Sequence, residues 1–139
     1  MKIAVLGYGT VGSGVVEVLD VNQKLIASRA KEEIEVKYVL DLRNFPGDKI
    51  QEKIVHDYEI ILNDPEIGIV VEVMGGVEPA NTFVRKALEA GKSVVTSNKA
   101  LVAKHGSALL KTAREKNVNF LFEASVGGGI PILRALGSS

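Results

Sequence analysis

The chain has 139 residues, of which 46% are hydrophobic, so its length and composition predict one globular domain rather than a disordered segment. Its 17 basic and 17 acidic residues cancel, which argues against electrostatic capture of nucleic acid or of an anionic membrane. Cysteine is absent, which excludes disulfides and thiolate chemistry, and no apolar run approaches the ~20 residues of a membrane span. We therefore expect a cytoplasmic protein.

The first predicted strand, Ile3 to Leu6, runs directly into a glycine-rich turn with the spacing G-x-G-x-x-G. A helical pattern then continues to about Ala30. The first glycine permits a tight turn, the second lets the backbone approach a pyrophosphate, and the third lets the helix pack against the sheet. The N–H groups and the dipole of the first helical turn favour an anion. The pattern predicts a dinucleotide site formed by Gly7, Tyr8, Gly9, Thr10, Val11 and Gly12. The alternative is a tight turn without a ligand.

A second strand is predicted from Ile34 to Leu40, and Asp41 follows it. A carboxylate at this point can accept hydrogen bonds from both ribose hydroxyls of NAD and repels the 2′-phosphate of NADP. Arg43 lies two residues further on and can contact a 2′-phosphate instead. The sequence thus leaves NAD and NADP open, with a preference for NAD, and leaves open that both residues are solvated loop charges.

Strands and helices alternate through the rest of the chain. This order predicts a Rossmann-type doubly wound α/β fold, with a mostly parallel open sheet and helices on both faces. The predicted elements are a short edge strand at Ile54 and Val55, a helix from Asp57 to Leu62, a central strand from Ile69 to Val73, a helix from Glu78-Pro79 to Gly91, a strand from Lys92 to Thr96, a helix from Lys99 to about Lys116, a strand from Val118 to Phe122, and a further helix from Pro131.

Ligands of such sheets bind outside the carboxyl ends of the strands. After the central strand, Met74, Gly75 and Gly76 bring backbone close to whatever occupies the crevice, which predicts contact with the ribose or nicotinamide end of the cofactor. Glu72 interrupts the apolar run of this strand, and burying a carboxylate is costly unless it is hydrogen-bonded. It is either exposed or a brace for the loop that follows.

The segment Ser97-Asn98-Lys99 follows the next strand with two hydrogen-bonding side chains and a cation. Ser97 or Asn98 can serve as a helix N-cap without any ligand. Capping does not explain Lys99, because a cation in the first helical turn opposes the helix dipole. We therefore predict that Lys99 holds a substrate carboxylate or stabilises a developing oxyanion, the alternative being a solvated lysine.

Three consecutive glycines, Gly127 to Gly129, follow Glu123 after the last predicted strand. Such a run lets main-chain oxygens crowd a ligand, and a hard cation could use Glu123 together with those oxygens. The alternative is a flexible loop that leads into a helix.

Together these segments resemble homoserine dehydrogenase across essentially the whole chain. The matching motifs are GYGTVG, VEVMGGVEPA, VVTSNKAL and FEASVGGGIPI, and the last two are far more specific than the glycine turn. The resemblance implies a domain that binds NAD or NADP through the glycine turn, Asp41, Arg43, residues 74–76 and residues 97–99. It places Lys99 at the junction of nicotinamide and substrate and Glu123 beside the substrate, both as catalytic residues. It also implies a sodium or potassium site formed by main-chain oxygens of Glu123, Val126, Gly128 and Ile130.

By the same likeness, the activity is interconversion of L-homoserine and L-aspartate 4-semialdehyde in threonine, methionine and isoleucine biosynthesis, by a homodimeric full-length enzyme. Family members continue with a catalytic and dimerisation domain, so residues 1–136 are expected to form the dinucleotide-binding domain and residues 137–139 to begin a missing region. The polypeptide alone should then bind dinucleotide and turn over little. Two alternatives remain, a related amino-acid or oxo-acid dehydrogenase and a non-catalytic nucleotide-sensing Rossmann module.

Overall fold

A computed structural model describes residues 2–9, 12–14, 16 and 35–123 of the chain. Within these ranges the strands are β1 (Lys2–Leu6), β2 (Glu35–Leu40), β3 (Ile54–Val55), β4 (Ile67–Glu72), β5 (Ser93–Thr96) and β6 (Phe120–Phe122). They form one parallel sheet in the order β3-β2-β1-β4-β5-β6. β1 therefore lies at the centre of the sheet. Successive strands are added on one side of it up to β3 and on the other side from β4 onward, and this change of side opens a crevice at the carboxyl ends of β1 and β4.

Helices pack on both faces of this sheet. Residues 12–14 and 16 are helical, and three further helices follow, α1 (Tyr58–Leu62), α2 (Ala80–Glu89) and α3 (Lys99–Glu115). Successive residues of β1 point to opposite faces, so Ile3 and Val5 enter one hydrophobic core and Ala4 and Leu6 enter the other. The continuous apolar pattern of β1 and β4 is thus explained by burial on both sides. The predicted Rossmann-type doubly wound fold is confirmed.

The elements begin and end close to their predicted limits. The differences are at most two residues: β4 begins two residues earlier than predicted and ends at Glu72, α2 ends two residues earlier, and β6 begins two residues later. Val73 still donates its N–H to the Leu6 carbonyl at 3.1 Å, and positive φ angles at Gly75 and Gly76 then turn the chain away from the sheet. A 3-10 helix, Lys49–Lys53, was not predicted. Asp48 caps it by accepting from the Ile50 N–H at 3.0 Å.

Several predicted features lie outside the described residues. They are the remainder of the first helix, the whole triple glycine at Gly127 to Gly129, and the helix expected from Pro131. The expected limits of the dinucleotide-binding domain, residues 1–136, stay a prediction.

Candidate functional site

The glycine turn after β1 needs glycine for steric reasons at its first and last positions. Gly7 has a φ of +99°, and a Cβ there would lie 3.1 Å from the Met74 side chain. A Cβ at Gly12 would lie 2.1 Å from the Gly7 carbonyl oxygen, well inside any contact that a real Cβ makes. At Gly9 nothing among the described residues lies within 4 Å of such an atom. Gly9 therefore faces open space, as a close approach to a pyrophosphate requires.

A cavity of about 530 Å³ opens beside this turn, at the carboxyl edge of the sheet. This volume is in the range of small-molecule sites. Its lining is largely apolar. We call the apolar lining residues its base and the charged or hydrogen-bonding ones, such as Asp41, Arg43 and His56, its rim. The lining residues are Gly7, Tyr8, Gly9, Leu40, Asp41, Leu42, Arg43, His56, Tyr58, Val73, Met74, Pro79 and Phe83. Most of them follow the ends of β1, β2, β3 and β4, and Tyr58, Pro79 and Phe83 come from α1 and the start of α2. The cavity therefore occupies the position that the topology predicts for a nucleotide.

Asp41 joins the ends of β1 and β2 at the rim of this cavity. One carboxylate oxygen accepts from the Tyr8 N–H at 2.9 Å and from Arg43 Nη2 at 3.0 Å. The other accepts from the N–H and the Nε of Arg43, at 2.9 and 3.1 Å. The Arg43 side chain is the largest cause that lowers the pKa of Asp41 to about 2. Four donors thus surround a carboxylate that has about four acceptor positions.

Arg43 remains accessible although it is paired with Asp41. About 61% of its side chain is exposed, and its Nη2 also donates to the Tyr8 carbonyl at 3.3 Å. Its guanidinium carbon lies 5.1 Å from the centre of the Phe45 ring. Tyr8 packs edge-on against the same ring. Phe45 therefore holds the arginine and the glycine turn together at the mouth of the cavity.

Sequence reasoning missed several residues of the cavity. His56 was not predicted as a site residue, yet it follows β3 directly and its Nδ1 lies 2.7 Å from the Asp41 carbonyl oxygen. Tyr58 is buried, donates to the Phe83 carbonyl at 2.7 Å, and has a pKa raised by burial. The strand-end rule applied to β3 would have pointed to His56. No local pattern marks Tyr58 or Phe83, because their position depends on the packing of α1 against α2.

A second polar cluster joins the ends of β4 and β5. Glu72 is fully buried and accepts from the Met74 N–H at 2.8 Å and from the Thr96 hydroxyl at 2.6 Å, so it braces the loop after β4, one of its two predicted roles. Asn98 is the N-cap of α3, accepting from the Leu101 N–H at 3.1 Å, and its Nδ2 donates to the Gly76 carbonyl. The capping role of Asn98 is therefore confirmed.

The predicted site residues fall into two groups. Around the cavity the structure brings together Gly7, Tyr8, Gly9, Asp41, Arg43 and Met74. The ends of β4, β5 and β6 carry Gly75, Gly76, Ser97, Asn98, Lys99 and Glu123, which do not line that cavity. Lys99 is exposed in the first turn of α3, and the Glu123 N–H donates to the Thr96 carbonyl at 2.9 Å. Thr10, Val11, Val126, Gly128 and Ile130 lie outside the described residues.

The glycine turn, the cavity beside it and the strand order together define a dinucleotide-binding domain of the doubly wound α/β class. A sequence model of the family "Homoserine dehydrogenase, NAD binding domain" matches residues 7–123. The chain belongs to this family.

Individual homoserine dehydrogenases resemble the chain along nearly its whole length. The chain is 42% identical to the enzyme of Lactococcus lactis, over 100% of this chain and 34% of that protein. It is 44% identical to the enzyme of Pseudomonas aeruginosa, over 98% and 32% respectively. The crystal structure of a homoserine dehydrogenase from Thiobacillus denitrificans superposes with a TM-score of 0.82 at 42% identity, covering 98% of this chain and 32% of that one. The chain spans about a third of the length of the curated relatives it matches.

In the part of the chain that the structure describes, the helices are too short or too polar to cross a membrane.

Proposed function

We propose that the chain is the coenzyme-binding part of a homoserine dehydrogenase, which interconverts L-homoserine and L-aspartate 4-semialdehyde. The observation that carries this proposal is the cavity of about 530 Å³ at the carboxyl edge of the sheet, enclosed by the glycine turn and Asp41. The likeness to homoserine dehydrogenases favours this function over another amino-acid dehydrogenase or a nucleotide sensor. The chain matches about a third of each such relative, so the substrate chemistry is proposed for the whole enzyme.

The two groups of predicted site residues, one around the cavity and one at the ends of β4, β5 and β6, suit different halves of a dinucleotide. The apolar base of the cavity, formed by residues such as Met74, Pro79 and Phe83, suits the adenine ring, and the rim at Asp41 suits its ribose. The helix that begins in the glycine turn directs its positive end toward the pyrophosphate. The nicotinamide then lies toward the ends of β4 and β5, near Gly75, Gly76, Ser97 and Asn98.

Lys99 and Glu123 are proposed to act where nicotinamide and substrate meet. The bound coenzyme supplies or accepts the hydride at the carbon that carries the substrate oxygen. In the direction of reduction, the Lys99 ammonium would stabilise the negative charge that develops on the aldehyde oxygen when hydride adds to its carbon, and a proton that reaches the oxygen from solvent would complete the hydroxyl. Its exposed position in the first turn of α3 leaves it accessible to a substrate. Glu123 lies beside the substrate and contributes to a sodium or potassium site with main-chain oxygens of Val126, Gly128 and Ile130.

We further propose that Arg43 lets the chain accept both NAD and NADP. With Arg43 in place, the Asp41 carboxylate is filled by four donors and the guanidinium stands at the rim, where a 2′-phosphate can accept from it. With Arg43 turned outward, Asp41 is free to accept from the two ribose hydroxyls of NAD.

Titration of the chain with NAD and NADP tests both proposals. Arg43→Ala should weaken NADP binding about tenfold or more and leave NAD binding unchanged or tighter, because charge-assisted hydrogen bonds to the phosphate are lost. Asp41→Ala should weaken NAD binding and spare NADP by comparison. Equal effects of Arg43→Ala on both coenzymes would contradict the role of Arg43. Failure of the wild-type chain to bind either nucleotide would overturn the proposed function itself.

The homodimer and the role in amino-acid biosynthesis follow from the same likeness, and the cytoplasmic location follows from the composition. All three stay predictions. Lys99 distinguishes an enzyme from a nucleotide sensor. A sensor needs the glycine turn to bind the pyrophosphate, but it needs no cation at the nicotinamide end. In the whole enzyme, Lys99→Met should therefore abolish reduction of aspartate semialdehyde while coenzyme binding is retained.

A further inference from the structure

Glu72 is a buried carboxylate whose surroundings consist of hydrogen-bond donors. It is 0% exposed at the carboxyl end of β4. Its donors are the Met74 N–H at 2.8 Å, the Thr96 hydroxyl at 2.6 Å and, at the longer distance of 3.5 Å, Asn98 Nδ2. A carboxylate is costly to bury unless such bonds compensate it, and an ionised carboxylate only accepts hydrogen bonds. The environment is therefore matched to a carboxylate at this position.

The donors belong to three different segments at the expected nicotinamide end. Met74 opens the loop after β4, Thr96 ends β5, and Asn98 caps α3 immediately before Lys99. Asn98 links two of these segments again, because its Nδ2 donates to the Gly76 carbonyl at 2.5 Å. Thr96 also accepts from the Asn98 N–H at 3.0 Å. Glu72 thus lies at the centre of a network that joins the loop at residues 74–76 to the start of α3.

We propose that Glu72 is a positioning residue that holds the loop at residues 74–76 and the Lys99 turn at the spacing the nicotinamide ring requires. The inference rests on the proposed function, because it assigns the nicotinamide to the ends of β4 and β5. Glu72 acts through its neighbours and does not line the cavity that we assign to adenosine. Among the described residues, the one hydrogen bond of its carboxylate to a residue of that cavity is with the Met74 N–H, a backbone group. Loss of this carboxylate should therefore weaken binding of the nicotinamide half of the coenzyme far more than binding of the adenosine half.

Glu72→Gln is the direct test, because it keeps the size of the side chain and replaces one acceptor oxygen with a donor that faces other donors. NADH contains the nicotinamide ring and ADP-ribose lacks it, so the ratio of their dissociation constants reports on the nicotinamide half. We expect Glu72→Gln to weaken NADH binding about tenfold and ADP-ribose binding by less than about twofold. The change in nicotinamide fluorescence on binding should decrease as well. NADPH and 2′-phospho-ADP-ribose form an equivalent pair of ligands.

Glu89→Gln is the matched control, because it makes the same substitution at an exposed position at the end of α2. It should leave both dissociation constants unchanged. Equal weakening of NADH and ADP-ribose by Glu72→Gln would show a general structural role and overturn the inference, as would no effect on either ligand. If the wild-type chain binds neither ligand, the proposed function fails instead.

Thr96 gives a second test should Glu72→Gln fail to fold. Thr96→Val removes the hydroxyl that donates to Glu72 with little change in volume, whereas Thr96→Ser keeps that hydroxyl. We expect Thr96→Val to raise the ratio of the NADH and ADP-ribose dissociation constants about fivefold and Thr96→Ser to restore it toward the wild-type value. Equal ratios in both variants would overturn the inference.

Discussion

Gly9 and Gly12 stand three residues apart in the same turn, yet a methyl group meets different surroundings at each. At Gly12 an added Cβ would meet the backbone of Gly7 at 2.1 Å, and backbone cannot rotate away as a side chain can. We expect Gly12→Ala to lower the free energy of unfolding by about 1–3 kcal/mol, the usual cost of overpacking. Urea denaturation followed by circular dichroism measures this change.

At Gly9 the described residues leave room for a methyl group. Gly9→Ala should therefore change the free energy of unfolding by no more than about 0.5 kcal/mol. It should still weaken coenzyme binding about tenfold, because the second glycine is where the backbone meets the pyrophosphate. The two variants thus separate a glycine needed for folding from one needed for binding. Normal coenzyme affinity in Gly9→Ala would contradict the assignment of this turn to the pyrophosphate.

The carboxyl end of β2 shows how far a single residue can be interpreted from sequence. The position of Asp41 after a strand is enough to predict a contact with the ribose of NAD. The position of Arg43 two residues later is enough to predict a possible contact with the 2′-phosphate of NADP. That the two residues bind each other, with Tyr8 as a further donor, depends on β1 and β2 being neighbours. Local sequence carries no information about a contact between residues 33 positions apart.

At the level of secondary-structure elements, an ion-pair network joins β2 to the turn that precedes β4. Lys37 contacts both Asp64 and Glu66, at 2.5 and 2.8 Å, and Tyr38 donates to Asp64 at 2.9 Å. The hydrogen bond from Lys37 is the largest cause that lowers the pKa of Asp64 from 3.8 to about 2. The backbone carbonyl of Asp64 also accepts from the buried Lys92 at 2.8 Å, so this turn anchors the amino-terminal end of β4.

This network predicts a specific dependence of stability on pH. A carboxyl group whose pKa is lower in the folded state stabilises the fold above its unfolded pKa and loses that contribution as the pH falls through the folded value. The Asp64 contribution should therefore be complete above about pH 4 and decline toward about pH 2. Asp64→Asn should be less stable than the wild type at pH 7. As the pH falls from about 4 to about 2, its free energy of unfolding should decrease less than that of the wild type.

Denaturation of wild type and Asp64→Asn at a series of pH values measures the free energy of unfolding of each protein. The pKa of Asp41 is also lowered to about 2, but Asp41 is present in both proteins, so its contribution cancels when the two free energies are subtracted. Glu89→Gln controls for the loss of one exposed negative charge. Parallel stability curves for wild type and Asp64→Asn would mean that the Lys37 network contributes nothing to acid sensitivity.

At the scale of the whole molecule, coenzyme binding should stabilise the fold, because the site is assembled from the ends of four strands. A ligand that binds only the folded state at one hundred times its dissociation constant adds about 2.7 kcal/mol to the free energy of unfolding. Thermal unfolding in the presence of NADH or NADPH should therefore shift to higher temperature. Gly12→Ala, if it remains folded, should show a smaller shift because its phosphate turn is distorted. An unchanged unfolding temperature in the wild type at saturating coenzyme would contradict the site.

The sequence by itself determined the class of fold and the kind of ligand, because both depend on local patterns. Alternating strands and helices specify the parallel sheet, and the glycine spacing at Gly7 to Gly12 is a steric requirement readable from a few adjacent residues. Only the tertiary structure decided which side chains meet. The strand order β3-β2-β1-β4-β5-β6 brings His56 beside Asp41 and Thr96 beside Glu72. These contacts join residues that are distant in sequence, so they exist only once the strands have paired and both hydrophobic cores have formed.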